Sequence, residues 1–103
     1  MKEKLSQVKL ANLGNADVTA LMKAEKSYGI SWKKRGGVGA FMMLARKWDR
    51  IENQVKNHGW DIFEAAKKDT RPEGILDDIR DLRRYLLLVD DFINNNLGGN
   101  NDA

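Results

Sequence analysis

The chain has 103 residues, of which 42% are hydrophobic and 32% are charged, a composition typical of one folded domain. Cysteine is absent and histidine occurs once, at position 58, which excludes disulfides, zinc–thiolate centres and thiol nucleophiles and disfavours a Ser–His–Asp arrangement. No apolar run has the length of a membrane span and no secretory signal opens the sequence, so we expect a cytoplasmic protein with no membrane partner.

Charge is distributed unevenly along the chain, although the net value is only +3. Residues 1–56 carry 12 Lys and Arg against 5 Asp and Glu, whereas residues 57–103 carry 6 against 10. Such asymmetry can steer an anionic ligand to one side or drive head-to-tail association between copies. Two solvated faces would give the same pattern. The acidic second half argues against a broad nucleic-acid surface.

The first half of the chain predicts two helices joined by a basic loop. The first dozen residues fit either a short helix or an extended arm. Asn15 is a suitable N-cap, with Asp17 in the first turn, and predicts a helix that ends at Gly29. A Gly-rich basic loop is expected from Gly29 to Gly37.

The next helix is predicted from about Val38 to His58, because its apolar residues fall on one stripe. That stripe consists of Phe41, Leu44, Trp48, Ile51 and Val55. Gly59 is a suitable stop, and residues 60–66 suggest a short helix. Core positions are expected for the two tryptophans of this region, Trp48 and Trp60.

The last helix is predicted from Pro72 to about Asn94, because residues 70–73 form a capping-box pattern with proline in the first turn. Its second half is apolar around much of its circumference, so it is expected to be buried in the core or against another subunit. Strand-type alternation is absent. The sequence therefore predicts an all-α bundle of three to five helices that forms a homo-oligomer, with one domain over residues 1–93 and a disordered Asn/Gly-rich tail over 94–103.

The loop before the second helix is the first candidate site. Glycines let the backbone approach an anion closely, and a helix start supplies unpaired N–H groups with a positive dipole end. Lysine and arginine supply countercharge, and a tryptophan can stack on a base. The predicted phosphate ligands are Trp32, Lys33, Lys34, Arg35, Gly36 and Gly37. The Walker A spacing is absent, and an ordinary solvated turn remains the alternative.

Two pairs of carboxylates form the second candidate site. Asp49 and Glu52 are three residues apart on one helix, and Asp78 and Asp81 are three apart on the last one, so each pair shares a helix face. If the helices pack through their apolar stripes, these acids could converge at the border of the core and hold Mg²⁺. The alternative is that they pair with the neighbouring arginines, which are Arg46, Arg50, Arg80, Arg83 and Arg84.

Three segments taken together resemble a known family. They are Lys26-Ser27-Tyr28-Gly29-Ile30-Ser31-Trp32, Ala45-Arg46-Lys47-Trp48-Asp49-Arg50-Ile51 and Asp78-Ile79-Arg80-Asp81-Leu82-Arg83-Arg84-Tyr85. In this order, over residues 23–93, they are similar to the helical domain associated with nucleotide modification in phages and bacteria. That domain is distantly similar to the MazG-like all-α nucleotide pyrophosphohydrolases, which hold Mg²⁺ with an E-E-x-x-E/D helix and an E-x-x-D helix.

The resemblance implies roles for particular residues. Asp78 and Asp81 would take the E-x-x-D role, and Asp49 and Glu52 the first-motif role. Tyr85, which closes the third segment, is also a predicted ligand-binding residue. The paired acids that should open the first motif are replaced by Arg46 and Lys47. These residues and Arg50 could hold phosphate directly, which makes loss of hydrolysis an expected departure.

Two functions follow as expectations. The first is a Mg²⁺-dependent pyrophosphohydrolase that splits a nucleoside triphosphate, with water attacking phosphorus. The second is a non-catalytic sponge that sequesters a host signalling nucleotide, such as a cyclic nucleotide, in the host cytoplasm and so evades anti-phage defence. A small regulator that reads nucleic-acid phosphates through the basic half is a weaker third hypothesis.

Overall fold

The computed structural model describes residues 4–97. Within that range the chain forms four α-helices, one 3-10 turn and no strand, which confirms the all-α prediction. The elements are α1 (Gln7–Tyr28), the turn Ser31–Lys33, α2 (Gly36–Lys56), α3 (Ile62–Lys68) and α4 (Ile75–Asn96). None of the helices over residues 4–97 combines the length and apolarity needed to cross a membrane.

The described residues divide after Ser31 into two compact units. The first unit is α1, which begins eight residues before the predicted N-cap Asn15. The side chain of Ser6 caps it instead, by accepting a hydrogen bond from the N–H of Lys9 at 3.2 Å. The predicted end is confirmed, because Gly29 adopts φ 62° and its N–H donates to the carbonyl of Glu25 at 2.8 Å. A left-handed φ of this kind is routine for glycine and rare for other residues.

The second unit contains α2, α3 and α4, and α2 and α4 form its main helix pair. Two ion pairs join these helices: Arg50 pairs with Asp78, and Lys47 pairs with Asp81. A step of three residues toward the start of α2 therefore matches a step of three residues toward the end of α4, which shows that the two helices are antiparallel. Helix α3 contacts both α2 and α4.

The start of α4 differs from the sequence prediction. The helix begins at Ile75 rather than Pro72, so the capping box over residues 70–73 is wrong. Its capping groups are two aspartates: Asp69 accepts from the N–H of Ile75 at 2.6 Å, and Asp77 accepts from the N–H of Gly74 at 3.0 Å. Asp69 lies six residues upstream of the N–H group it caps, a separation outside the local capping patterns.

The far end of α4 extends two residues beyond the predicted Asn94. Asn94 and Asn95 fall inside the helix, and their side-chain amides donate to the carboxylates of Asp90 and Asp91 one turn back. Of the tail predicted to be disordered, residues 98–103 lie outside the described residues. The single domain expected over residues 1–93 stays a prediction.

The fully buried hydrophobic core of the second unit is small. Ile51, Ala65 and Ile75 are buried, one from each helix, and partly buried residues pack around them. These are Val55, Ile79 and Leu82. The expectation that Trp48 and Trp60 are core residues is wrong, because their exposed fractions are 54% and 64%.

Candidate functional site

The start of α2 has the features expected of an anion site. Lys34 and Arg35 are exposed directly before it, and its first turn contains no acidic residue. Arg35 is the N-cap residue and its side chain makes no capping hydrogen bond. A Cβ atom added to Gly36 or Gly37 would meet nothing within 4 Å. The N-cap side chain therefore satisfies none of the first N–H groups of α2, and the space beside the two glycines is open.

The turn before α2 contacts the last turns of α4 through aromatic and cation–π interactions. The ring of Trp32 meets the ring of Phe92 edge to face, with centroids 6.2 Å apart and planes at 86°. Lys33 places its Nζ 4.3 Å from the Phe92 ring centre and 5.9 Å from that of Trp32. These are cation–π distances. The sequence alone places Phe92 among the apolar residues of the last helix, and nothing in its spacing indicates a contact with residue 32.

The predicted cations do not form one pocket within a single chain. Arg46, Lys47 and Arg50 lie about 15 to 21 Å along α2 from its first residue, at 1.5 Å per residue. Arg46 is exposed and, with Met42, Met43 and Asp49, lines a shallow hollow of about 250 Å³ on α2 itself. The cations therefore separate into one group at the helix start and another in its second half.

Lys47 and Arg50 are paired with two of the predicted metal ligands. The Nζ of Lys47 lies 3.0 Å from Oδ2 of Asp81, and Nε of Arg50 donates to Oδ1 of Asp78 at 2.8 Å. Ion pairing, the alternative to metal binding, is therefore what the structure gives for both predicted metal ligands on α4. The pair at Asp81 is open to water, since that side chain is 43% exposed, whereas the side chain of Asp78 is only 3% exposed.

The four predicted metal ligands are not gathered into one cluster. Asp78 and Asp81 face α2, while Asp49 and Glu52 are exposed. Across residues 4–97, no three Asp, Glu or His side chains lie close enough together to hold a metal ion. The expected convergence of the two carboxylate pairs at the border of the core is therefore absent from a single chain.

Asp78 is the most unusual of these residues. Its Oδ1 accepts from Arg50, whereas its Oδ2 is buried and has no hydrogen-bond partner. The hydrogen bond and the charge of Asp78 raise the pKa of Arg50 above its usual value. Tyr85 stands seven residues after Asp78, hence on the same side of α4, and is half-buried.

A second charged cluster, which sequence reasoning missed, organises the approach to α4. The side chain of Arg71 donates two hydrogen bonds to the carboxylate of Asp69, from Nε at 2.9 Å and from Nη2 at 2.7 Å. Together with the N–H of Arg71 and that of Ile75, they hold the pKa of the Asp69 carboxyl well below its usual range. The only sequence signal was the proximity of residues 69 and 71.

Comparison of the chain with known protein families, with curated proteins and with solved structures finds no match in any of the three.

Proposed function

We propose that this protein binds the phosphates of a nucleotide at the start of α2. The observation that carries the proposal is the uncapped first turn of α2, where Gly36 and Gly37 leave open space beside Lys34 and Arg35. Backbone N–H groups at a helix start and neighbouring cations are complementary to phosphoryl oxygens. Trp32, held against Phe92 and half-buried, offers an aromatic surface for a base beside that turn.

Binding without hydrolysis fits the carboxylates better than catalysis does. Mg²⁺ in nucleotide enzymes is bound through one or two carboxylates together with the phosphates of the substrate. Here Asp78 and Asp81 already neutralise Arg50 and Lys47, and Asp49 and Glu52 do not join them. This arrangement supports the sponge, which retains a signalling nucleotide such as a cyclic nucleotide, and the resemblance to a phage family is consistent with a role in evading host defence.

One observation favours the enzyme as the second candidate. Oδ2 of Asp78 is a buried carboxylate oxygen without a hydrogen-bond partner, and Asp78 stands where the resemblance puts a Mg²⁺ ligand. In a pyrophosphohydrolase, Mg²⁺ held by Asp78 and Asp81 would neutralise charge on the phosphates while water attacks phosphorus. Lys33, Lys34 and Arg35 would hold the pyrophosphate that leaves.

The binding proposal is tested by titrating the protein with a panel of nucleoside triphosphates and cyclic nucleotides in a calorimeter. The variant Lys34→Ala/Arg35→Ala should weaken binding roughly tenfold or more, because two cations at the anion are lost. The matched control is Lys67→Ala/Lys68→Ala, which removes the same charge from α3. Equal losses in both variants, or no binding of any nucleotide by the wild type, would contradict the proposal.

Binding without reaction and hydrolysis are distinguished by the chemical form of the nucleotide that is released from the protein. The protein is incubated with each bound nucleotide and Mg²⁺ and then denatured, and the released material is analysed by chromatography. Intact ligand supports the sponge. Monophosphate and pyrophosphate support the enzyme, provided that Asp81→Asn abolishes their formation; Asp81 is chosen because it is half-exposed and its replacement leaves the core untouched.

A further inference from the structure

One apolar face of the α2–α4 pair is covered by α3 at one end only. Val55 of α2 and Ile79 of α4 pack there against the core that includes Ala65 of α3. Helix α3 has 7 residues and α2 has 21, which correspond to about 10 Å and about 31 Å of length. Most of this face of the pair therefore extends beyond the cover that α3 provides.

The same face continues in regular steps of seven residues. Trp48 and then Phe41 precede Val55 on α2, and Leu86 and then Ile93 follow Ile79 on α4. Residues seven apart share a helix face. The register of the Arg50–Asp78 and Lys47–Asp81 ion pairs puts Trp48 level with about residue 80 and Phe41 level with about residue 87. Phe41 therefore lies beside Leu86, and Ile93 lies about 9 Å further along α4. We name Phe41, Trp48, Leu86 and Ile93 the open groove.

All four groove residues are exposed to solvent. Their exposed fractions are 64% for Phe41, 54% for Trp48, 50% for Leu86 and 43% for Ile93. Together they present on the order of 400 Å² of apolar surface, about half of what one partner contributes to a standard interface. Val38, which stands three residues before Phe41 and is 78% exposed, adds to the α2 side. Exposed apolar patches of a few hundred Å² are often functional.

We propose that the open groove binds the open groove of a second copy of this chain, with the two α2 helices antiparallel. The charges at the ends of the exposed α2 face are self-complementary. Lys34 and Arg35 precede it at one end, and Glu52, one turn beyond Trp48, lies at the other; all three are exposed. Antiparallel docking brings the cations of each copy to Glu52 of the partner subunit.

The same arrangement accounts for the position of α3. Because α3 blocks one end of the groove, only the uncovered halves of two copies can meet, and each α3 then lies beyond the open end of the other copy. Antiparallel docking places Phe41 of one copy near Trp48 of the partner subunit, which is favourable for aromatic side chains. Three cations precede α2 and one carboxylate faces them, so positive charge remains there for a phosphate.

The test measures the oligomeric state of the full chain by sedimentation velocity over a concentration range that reaches hundreds of micromolar. The wild type should dimerise, and Leu86→Lys should weaken the dimer roughly tenfold or more, because a charge would be buried at the centre of the interface. Leu76→Lys is the matched control: Leu76 lies on the same helix and is 51% exposed, but it is outside the groove. Thermal unfolding followed by circular dichroism checks that both variants fold.

A second pair of variants tests the orientation. Glu52→Lys should weaken the dimer because it places like charges together, whereas Asp49→Lys, at another exposed position on α2, should not. A monomeric wild type at every concentration would overturn the proposal, as would equal effects of Leu86→Lys and Leu76→Lys. Assembly beyond a dimer that survives Leu86→Lys would assign association to another surface. None of these results depends on nucleotide binding.

Discussion

Arg50 donates from Nε to Oδ1 of Asp78 across 2.8 Å and so links the second half of α2 to the first turns of α4. The two partners differ in environment, since the side chain of Arg50 is 42% exposed and that of Asp78 is 3% exposed. Asp78 has no hydrogen-bond partner at its other oxygen. Arg50 is therefore the cation hydrogen-bonded to a carboxylate that folding removes from water, and the charge of Arg71 lies near the same carboxylate.

The first prediction concerns this pair. Replacing Arg50 by alanine leaves a buried carboxylate without its hydrogen-bonded cation, a change that is strongly destabilising in other proteins. We expect the melting temperature to fall by roughly 10 °C or more, since a small domain loses about 4–8 °C per kcal/mol. Lys47→Ala is the matched control on the same helix, and its melting temperature should change little because Asp81 remains hydrated. Similar losses in the two variants would mean that Asp78 is stabilised by other groups.

The second prediction concerns acid. Hydrogen bonds from Arg71 and backbone N–H groups lower the pKa of Asp69 in the folded protein. A lowered folded-state pKa adds stability above the unfolded value, about 3.9 for aspartate, and that stability is lost as pH falls further toward the folded value. Asp69→Asn should therefore lower the free energy of unfolding at pH 7, and the difference from wild type should shrink below about pH 4.

Urea unfolding of both proteins at a series of pH values measures this difference. Arg71→Gln gives an internal check, because it removes the hydrogen bonds that contribute most to the low pKa of Asp69. The pKa of Asp69, followed by NMR in that variant, should move up toward the ordinary aspartate value. A constant difference between wild type and Asp69→Asn down to the lowest pH would contradict the assignment.

Helical periodicity in the sequence was sufficient to predict an all-α fold, and Gly29 marked one boundary correctly. Periodicity did not predict where α1 and α4 begin, because the residues that cap these two helices were not recognised. Ser6 caps α1 from a segment without a clear apolar stripe, and Asp69 caps α4 across six residues. Local capping patterns relate residues that are three positions apart. They therefore could not predict that Asp69 caps α4 or that Arg71 binds it through two hydrogen bonds.

Prediction of the candidate site had a different limit. Spacing shows which residues share a face of one helix, but the register between two helices is set by packing. Spacing along α4 places Asp78 beside the apolar stripe and Asp81 just beyond it. It does not indicate that they pair with Arg50 and Lys47, or that Asp49 and Glu52 are exposed and do not join them. The exposure of Trp48 was missed for a related reason, because the length of α3 decides how much of the stripe is covered.

The third prediction concerns Gly74, the N-cap residue of α4. A Cβ atom at this position would lie 2.8 Å from Oδ2 of Asp69, and four hydrogen bonds prevent that carboxylate from moving freely. We expect Gly74→Ala to cost about 1–3 kcal/mol, as overpacking does elsewhere. Gly37→Ala is the control, since nothing lies within 4 Å of its added Cβ. In chemical denaturation it should be neutral or stabilising, because alanine favours a helix.

The last prediction concerns the backbone between α2 and α3. Gly59 and Trp60 both adopt left-handed conformations, with φ of 69° and 64°. The N–H of Trp60 donates to the carbonyl of Val55 at 2.8 Å, and its side chain is 64% exposed. This conformation costs about 1–2 kcal/mol for a residue with a Cβ, and glycine avoids that cost while losing about 0.5–1 kcal/mol of chain entropy.

Trp60→Gly should therefore stabilise the protein by up to about 1 kcal/mol, since the hydrogen bond to Val55 is kept and little packing is lost. Gly59→Ala, at the adjacent position, should destabilise it by a comparable amount. Both changes are measured as free energies of unfolding in urea. A loss of stability in Trp60→Gly would show that the exposed indole makes contacts worth more than the backbone strain, and would direct attention to a partner or a second copy at this turn.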